Sequence, residues 1–241
     1  MNKTKVKRYL VLGILFFLPV TFLLMLLPAK HNYNPLEIIN QNVSELKGFS
    51  SDTDENVSLK NHITVLAFLG NQPMSNAIAA SNLKELVYDK FKGFKRFQIV
   101  VVVPKGTEKE VELLKKEINS YEDLKFWHFI FGDENNIQAV YSSLESESPL
   151  KEDLSTNQVF IIDNELNQRG RTDDRSDNEL AMKSPVYGLN SYNCIEVAEI
   201  KNKMSEDMRV LFTEYREKRK GNFDSSTRRA NDLKGDNEQQ D

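Results

Sequence analysis

Phe97-Gln-Ile-Val-Val-Val-Val103 decides the fold. Five of its seven residues are β-branched and one is aromatic, which suits a pleated surface better than a helix. Beyond Gln98 no polar residue interrupts the run, so it reads as a strand covered on both faces, the usual state of a parallel strand. A second run of this kind, His62 to Leu69 (HITVLAFL), is bounded by Asn61 and Gly70. After a turn over Asn71 to Ser75 comes Asn76 to Phe91, with Ile78, Leu83, Leu86, Val87 and Phe91 at helical spacing and Gly93 just beyond. Strand, helix and strand form a crossover unit, so the two apolar runs are expected as adjacent, parallel, central strands.

The alternation continues downstream. Pro104 to Thr107 leads into a helix over Glu108 to Ser120 that carries Val111, Leu114 and Ile118 on one stripe. A strand is expected over Leu124 to Phe131, then a helix over Glu134 to Leu144 and the loop Glu145 to Pro149. Gln158 to Asp163 (QVFIID) is another buried strand, with Asn164 to Arg171 as its hairpin return. A closing amphipathic helix spans about Ile195 to Lys220, with Val197, Ile200, Met204, Met208, Leu211, Phe212 and Tyr215 mostly three or four apart. This is an α/β domain with a mixed sheet and helices on its faces. Residues 30–60 read as a polar tether leading into edge strands, 61–220 as the domain, and 221–241 as a disordered tail.

The 241 residues allow one good-sized domain plus extras. With 32 Lys and Arg against 36 Asp and Glu, the formal charge of -4 offers no footprint for nucleic acid. The single cysteine, Cys194, excludes an intramolecular disulfide, a CxxC redox pair and a Cys-rich zinc site.

The uncharged run Tyr9 to Leu27 would span about 28 Å as a helix, enough for one crossing of the hydrocarbon. Lys3, Lys5, Lys7 and Arg8 precede it, so residues 1–8 are expected in the cytoplasm, 9–29 as an uncleaved signal anchor, and the rest on the periplasmic or extracytoplasmic side. The rival is a cleaved signal peptide. It would need a shorter apolar core, and only Pro28-Ala-Lys30 resembles a cleavage site.

Several short stretches line up in order with one family. Trp127-His-Phe-Ile-Phe-Gly-Asp133 and the helix after it are similar to a W-x-F-L-T-G segment, and Phe160-Ile-Ile-Asp163 with Arg169 and Arg171 resembles an LID-x-x-G-x-I-R hairpin. Both belong to the Sco/SenC proteins, membrane-anchored thioredoxin-fold copper chaperones of cytochrome c oxidase assembly, and the resemblance covers roughly residues 36 to 218. It implies a thioredoxin-like fold behind the anchor. The family's chemistry resides in two cysteines of a CxxxC segment after the first core strand and a histidine just before the fourth, a soft site appropriate to copper. Matching the family proline to Pro73 puts Gln72 and Asn76 at the cysteine positions, and the histidine position falls on Ser155. Amides and a hydroxyl neither bind Cu(I) well nor exchange disulfides, so the resemblance carries the fold across and withholds the activity.

No other constellation replaces the lost one. Cys194 precedes a helix, where a thiol pKa can fall, but it lacks a second thiol or a partner base and is expected to pack. Met74 lies in the old ligand loop, and one thioether alone is more often a packing group. His31, His62 and His128 do not show metal-ligand spacing, and His128 should share a strand face with Phe126 and Ile130 while Trp127, Phe129 and Phe131 face away. No nucleotide motif is present, and the cluster Asp173, Asp174, Arg175 and Asp177 reads as a solvated turn. No cofactor is expected. The reading is therefore a redox-inactive, membrane-anchored binding or assembly factor, with Gln72, Pro73, Met74, Ser75 and Asn76 as its partner-contact loop and a protein of the envelope, in the class of respiratory oxidase assembly components, as its partner. The alternatives are a remodelled copper chaperone or thiol-disulfide protein with a site of its own, and a drifted envelope paralogue of another role.

Overall fold

A computed structural model of the chain describes residues 3–26, 35–53, 56–119 and 124–219. It contains two compact units, Met1–Asn34 and Pro35–Asp241. In the first, α1 (Lys3–Leu26) is a helix of 24 residues with Pro19 inside it. Its described side chains, among them Phe16, Phe17 and Leu24, are exposed. Among the described residues, no helix is long and apolar enough to cross a membrane. The far end of the expected anchor, His31 and the expected tail over 221–241 lie outside the described residues.

In the second unit β1 (Glu37–Asn40), β2 (Ser50–Ser51), β3 (Ile63–Phe68), β4 (Phe97–Pro104), β5 (Trp127–Gly132), β6 (Gln158–Ile162) and β7 (Gln168–Gly170) form one sheet in the order β1-β7-β6-β3-β4-β5-β2. A short strand, β8 (Tyr192–Asn193), pairs with β6. The two decisive runs are adjacent and parallel, as expected, with Val65 opposite Ile99 and Phe68 opposite Val102. β5 extends the parallel set, while β6 runs antiparallel to β3 and returns through the hairpin to β7. β3, β4 and β5 are buried along nearly their whole length, which is why they lack the alternation of a half-wet strand.

Helices cover both faces. On one side Val65, Ile99, Val101, Trp127, Phe129 and Phe131 pack in one core cluster with residues of α2 (Ala77–Leu83), α3 (Asp89–Phe91) and α4 (Glu108–Ile118). On the other, Leu66, Phe68, Val100, Val102 and Ile130 pack with Ile137, Val140 and Tyr141 of α5 (Glu134–Ser142). The strand β5 thus splits its side chains as its period of two requires. Gly132, inside the Trp127–Asp133 motif, lies under Phe49, where a Cβ would fall 2.3 Å from the ring. The stretch expected as a tether contributes Leu36, Val43, Leu46 and Leu59 to the core and supplies the edge strands β1 and β2.

The expected helix after β3 is interrupted: a π-helical segment, Lys84–Tyr88, joins α2 to α3. A short helix, α6 (Asp177–Ala181), opens on a capping box between Ser176 and Glu179. The closing helix repeats the interruption, with π-helical Glu199–Met204 running into α7 (Ser205–Arg219). Such bulges slip the apolar stripe by one residue, and the 3.6-residue spacing alone does not announce them.

One expectation is corrected. The acidic and basic cluster is solvated at Asp173 and Asp177 only, because the Asp174 side chain is buried and pairs with Arg171 at 2.9 Å and with Lys203. Arg171 also grips Asp207 of α7 in a bidentate pair, and Tyr192 donates its hydroxyl to the same carboxylate at 2.7 Å. These carboxylates hold the Arg171 guanidinium in its charged form, its pKa raised against the opposing pull of burial. A turn drawn into such a network is part of the packing of α7 against the sheet.

Candidate functional site

The chain leaves β3 at Phe68 and immediately meets the segment that enters β6. Leu69 forms an antiparallel bridge with Ser155, the N–H of Thr156 donates to the Phe68 carbonyl at 3.1 Å, and the N–H of Asn71 donates to the Asp153 carbonyl at 2.9 Å. Gly70 makes this closeness possible. Its φ of +71° is left-handed, and a Cβ there would lie 2.5 Å from the Asp153 carbonyl oxygen and 2.8 Å from the Ser155 Cβ. The loop of Gln72 to Asn76 and Ser155, far apart in sequence, are thus brought to one end of the sheet.

Each candidate has a defined local role. Pro73–Asn76 is a single 3-10 turn that runs directly into α2, with Pro73 buried at its start. The Ser75 N–H donates to the Gln72 carbonyl at 3.0 Å, and the Asn76 side-chain amide donates to the Leu69 carbonyl at 2.8 Å. Gln72, Met74 and Ser75 are exposed. Ser155 is 1% exposed, and its hydroxyl donates to the Asp153 carboxylate at 2.7 Å. Gln72 and Met74 therefore face solvent, Asn76 fastens the loop from behind, and Ser155 faces inward.

The donor set does not fit Cu(I). The loop and Ser155 offer amides, a hydroxyl and one thioether, with no thiolate or imidazole among them. Among the described residues no group of three His, Cys, Asp or Glu could hold a metal ion. Cys194 is 1% exposed, and burial pushes its thiol up to about 12, so at neutral pH it is neither a nucleophile nor a thiolate ligand. Its backbone is structural: the N–H donates to the Asn157 carbonyl at 2.8 Å, and its carbonyl accepts from the Asn82 side chain of α2 at 2.9 Å.

The residue reading missed the partners of the hairpin arginines. Arg169 is buried between Asp163, at 2.9 Å, and Glu214 of α7, at 2.7 Å, and also donates to the Leu36 carbonyl. Both carboxylates favour its charged form, which burial opposes, and the net shift of its pKa is upward. A signal was present in the closing helix. Asp207 and Glu214 stand seven residues apart on the stripe of Met204, Met208 and Leu211, where acids demand cationic partners.

The mixed sheet with its central order β7-β6-β3-β4 and helices on both faces is thioredoxin-like. No family model matches the sequence. No curated protein matches it either. Among solved structures the chain is similar to a protein of Aquifex aeolicus VF5 named provisionally as an electron transfer protein, at 13% identity over 71% of this chain and 97% of that one, TM-score 0.47. It is similar to BsSco, a member of the Sco family of cytochrome c oxidase assembly proteins, at 14% identity over 73% and 96%, TM-score 0.44. A third is Bradyrhizobium japonicum ScoI with copper bound, at 12% identity over 70% and 98%, TM-score 0.39.

Proposed function

We propose that this chain is a membrane-anchored, redox-inactive, Sco-like domain that works by binding a protein of the envelope, in the class of respiratory oxidase assembly components. The observation that carries this is the loop at the end of β3. Its backbone is fixed by Gly70, Pro73 and the Asn76 bond, while Gln72, Met74 and Ser75 are displayed on it without a reactive group. A rigid displayed loop binds with little ordering cost, which suits recognition. Exposed Ile78, one turn further along α2, extends the same surface with apolar area. The sequence resemblance supports the oxidase-assembly class, and the apolar run after a basic N-terminus supports an anchor with the domain outside the cytoplasm.

Two measurements test the reading. Capture from solubilised membranes with the full chain should retain one partner that Met74→Glu and Ile78→Glu both lose, with unchanged thermal stability. A captured set identical for wild type and both variants overturns the loop as the contact. Protease treatment of spheroplasts should digest the domain, and protection would overturn the orientation.

A further inference from the structure

At the opposite end of the sheet, residues just before three parallel strands enclose a cavity of about 290 Å³. His62 precedes β3, Arg96 precedes β4, and Lys125 precedes β5, and these residues line the cavity together with Ser58, Gln98 and His128, the second residue of β5. β3 is six residues long, so this cavity and the Gln72–Asn76 loop are separated by about 20 Å. They are different sites.

The lining has the character of an anion receptor. Among the described residues no carboxylate lines the cavity, and neither Arg96 nor Lys125 forms an ion pair. That is unusual in a chain whose net charge is -4 and whose other arginines on the sheet are tied to carboxylates. Arg96 has a φ of +64°, a left-handed conformation that glycine or asparagine adopts at lower cost, and it stands there as a long cation all the same. Its carbonyl accepts from the Ile63 N–H at 2.7 Å, which pins the turn to the start of β3. The Lys125 ammonium lies 5.5 Å from the ring centroid of Phe126, itself part of the cavity wall.

His62 shares the orientation. Its Nδ1 lies 3.1 Å from the Ser58 carbonyl and 3.2 Å from that of Lys60, and carbonyls only accept, so Nδ1 carries the proton and holds the ring against the segment before β3. Gln98 gives its amide hydrogens to the Ser58 carbonyl and the Thr64 hydroxyl, each at 2.9 Å, and so stiffens the floor. A guanidinium fork and an ammonium from separate segments suit a tetrahedral oxyanion, which offers more acceptor oxygens than a carboxylate. The volume, about ten waters' worth, accommodates one phosphate group with part of what carries it.

We propose that this cavity binds a phosphate group, borne by a small ester or by a lipid headgroup. Calorimetric titration of the full chain with inorganic phosphate should show one saturable site. The pair Arg96→Gly and Lys125→Ala should weaken it at least tenfold, while glycine at 96 leaves thermal stability unchanged or raises it. The charge-matched pair Lys109→Ala and Lys116→Ala on α4 should bind as wild type. Displacement of bound phosphate by phosphatidic acid vesicles, but not by phosphatidylcholine vesicles, assigns the lipid source, and no displacement by either assigns the free ester. Absence of saturable binding, binding unaltered by the Arg96 and Lys125 changes, or equal loss in the α4 pair overturns the proposal.

Discussion

The Asn76 side-chain amide closes a hydrogen bond to the Leu69 carbonyl at 2.8 Å. The bond fastens the loop to the end of β3. Asn76→Ala should therefore destabilise the domain by about 1 kcal/mol, the ordinary worth of one such bond, read as a lower urea midpoint with unchanged slope. Asn76→Cys should cost the same, because a thiol does not replace the amide donor. A variant as stable as wild type would show that the bond contributes nothing.

The buried Asp163–Arg169–Glu214 triad ties the hairpin to α7. Removing Arg169 takes the shared cation from two buried carboxylates and leaves Glu214 with Lys218 at 2.8 Å and Asp163 with its hydrogen bonds from Asn167, so Arg169→Met should cost about 3 kcal/mol in urea unfolding, the low end for a broken buried pair. Replacing all three by apolar residues of similar volume should recover most of that loss. If the single variant costs under about 1 kcal/mol, water reaches the triad and the buried-pair account fails.

Glu45 holds the segment before β3 together. Burial pushes its carboxyl up, but hydrogen bonds from the N–H groups of Leu59, Leu46 and Lys60 and from the Ser58 hydroxyl outweigh this and leave its pKa below the ordinary value. A depressed acid contributes stability that is present above its unfolded pKa of about 4.3 and is lost as pH falls through the lower native value. The difference in stability between wild type and Glu45→Gln should accordingly be constant near neutrality and shrink below about pH 4. A gap that widens on acidification would reverse the assignment.

Legibility followed burial. β3 and β4 were readable because strands covered on both faces are continuous apolar runs, and the crossover rule then set them side by side. Edge strands β1 and β2 were not individually readable, since four and two residues held by backbone pairing leave no periodic trace. The two π segments and the burial of Asp174 are silent in the sequence for one reason: each depends on what packs against it from a distant part of the chain. Gln72, Asn76 and Ser155 are singled out by the family resemblance alone, since neither their spacing nor their chemistry marks them in the sequence. The Gly70 contact that joins them is a fact of the fold alone. The histidines at 62 and 128 looked unrelated in sequence because the β3–β4–β5 register brings them to one cavity.

On the proposed function, the loop at the end of β3 recognises a partner and carries neither copper nor thiol chemistry. Titrating the purified full chain with Cu(I) under a competing chelator tests it most directly. The account predicts that the chelator keeps the copper, with the same result for Met74→Ala and for wild type, because amides, a hydroxyl and one thioether do not compete for a soft ion. Stoichiometric, tight binding that Met74→Ala abolishes would contradict the account and establish the chain as a copper carrier with a remodelled site.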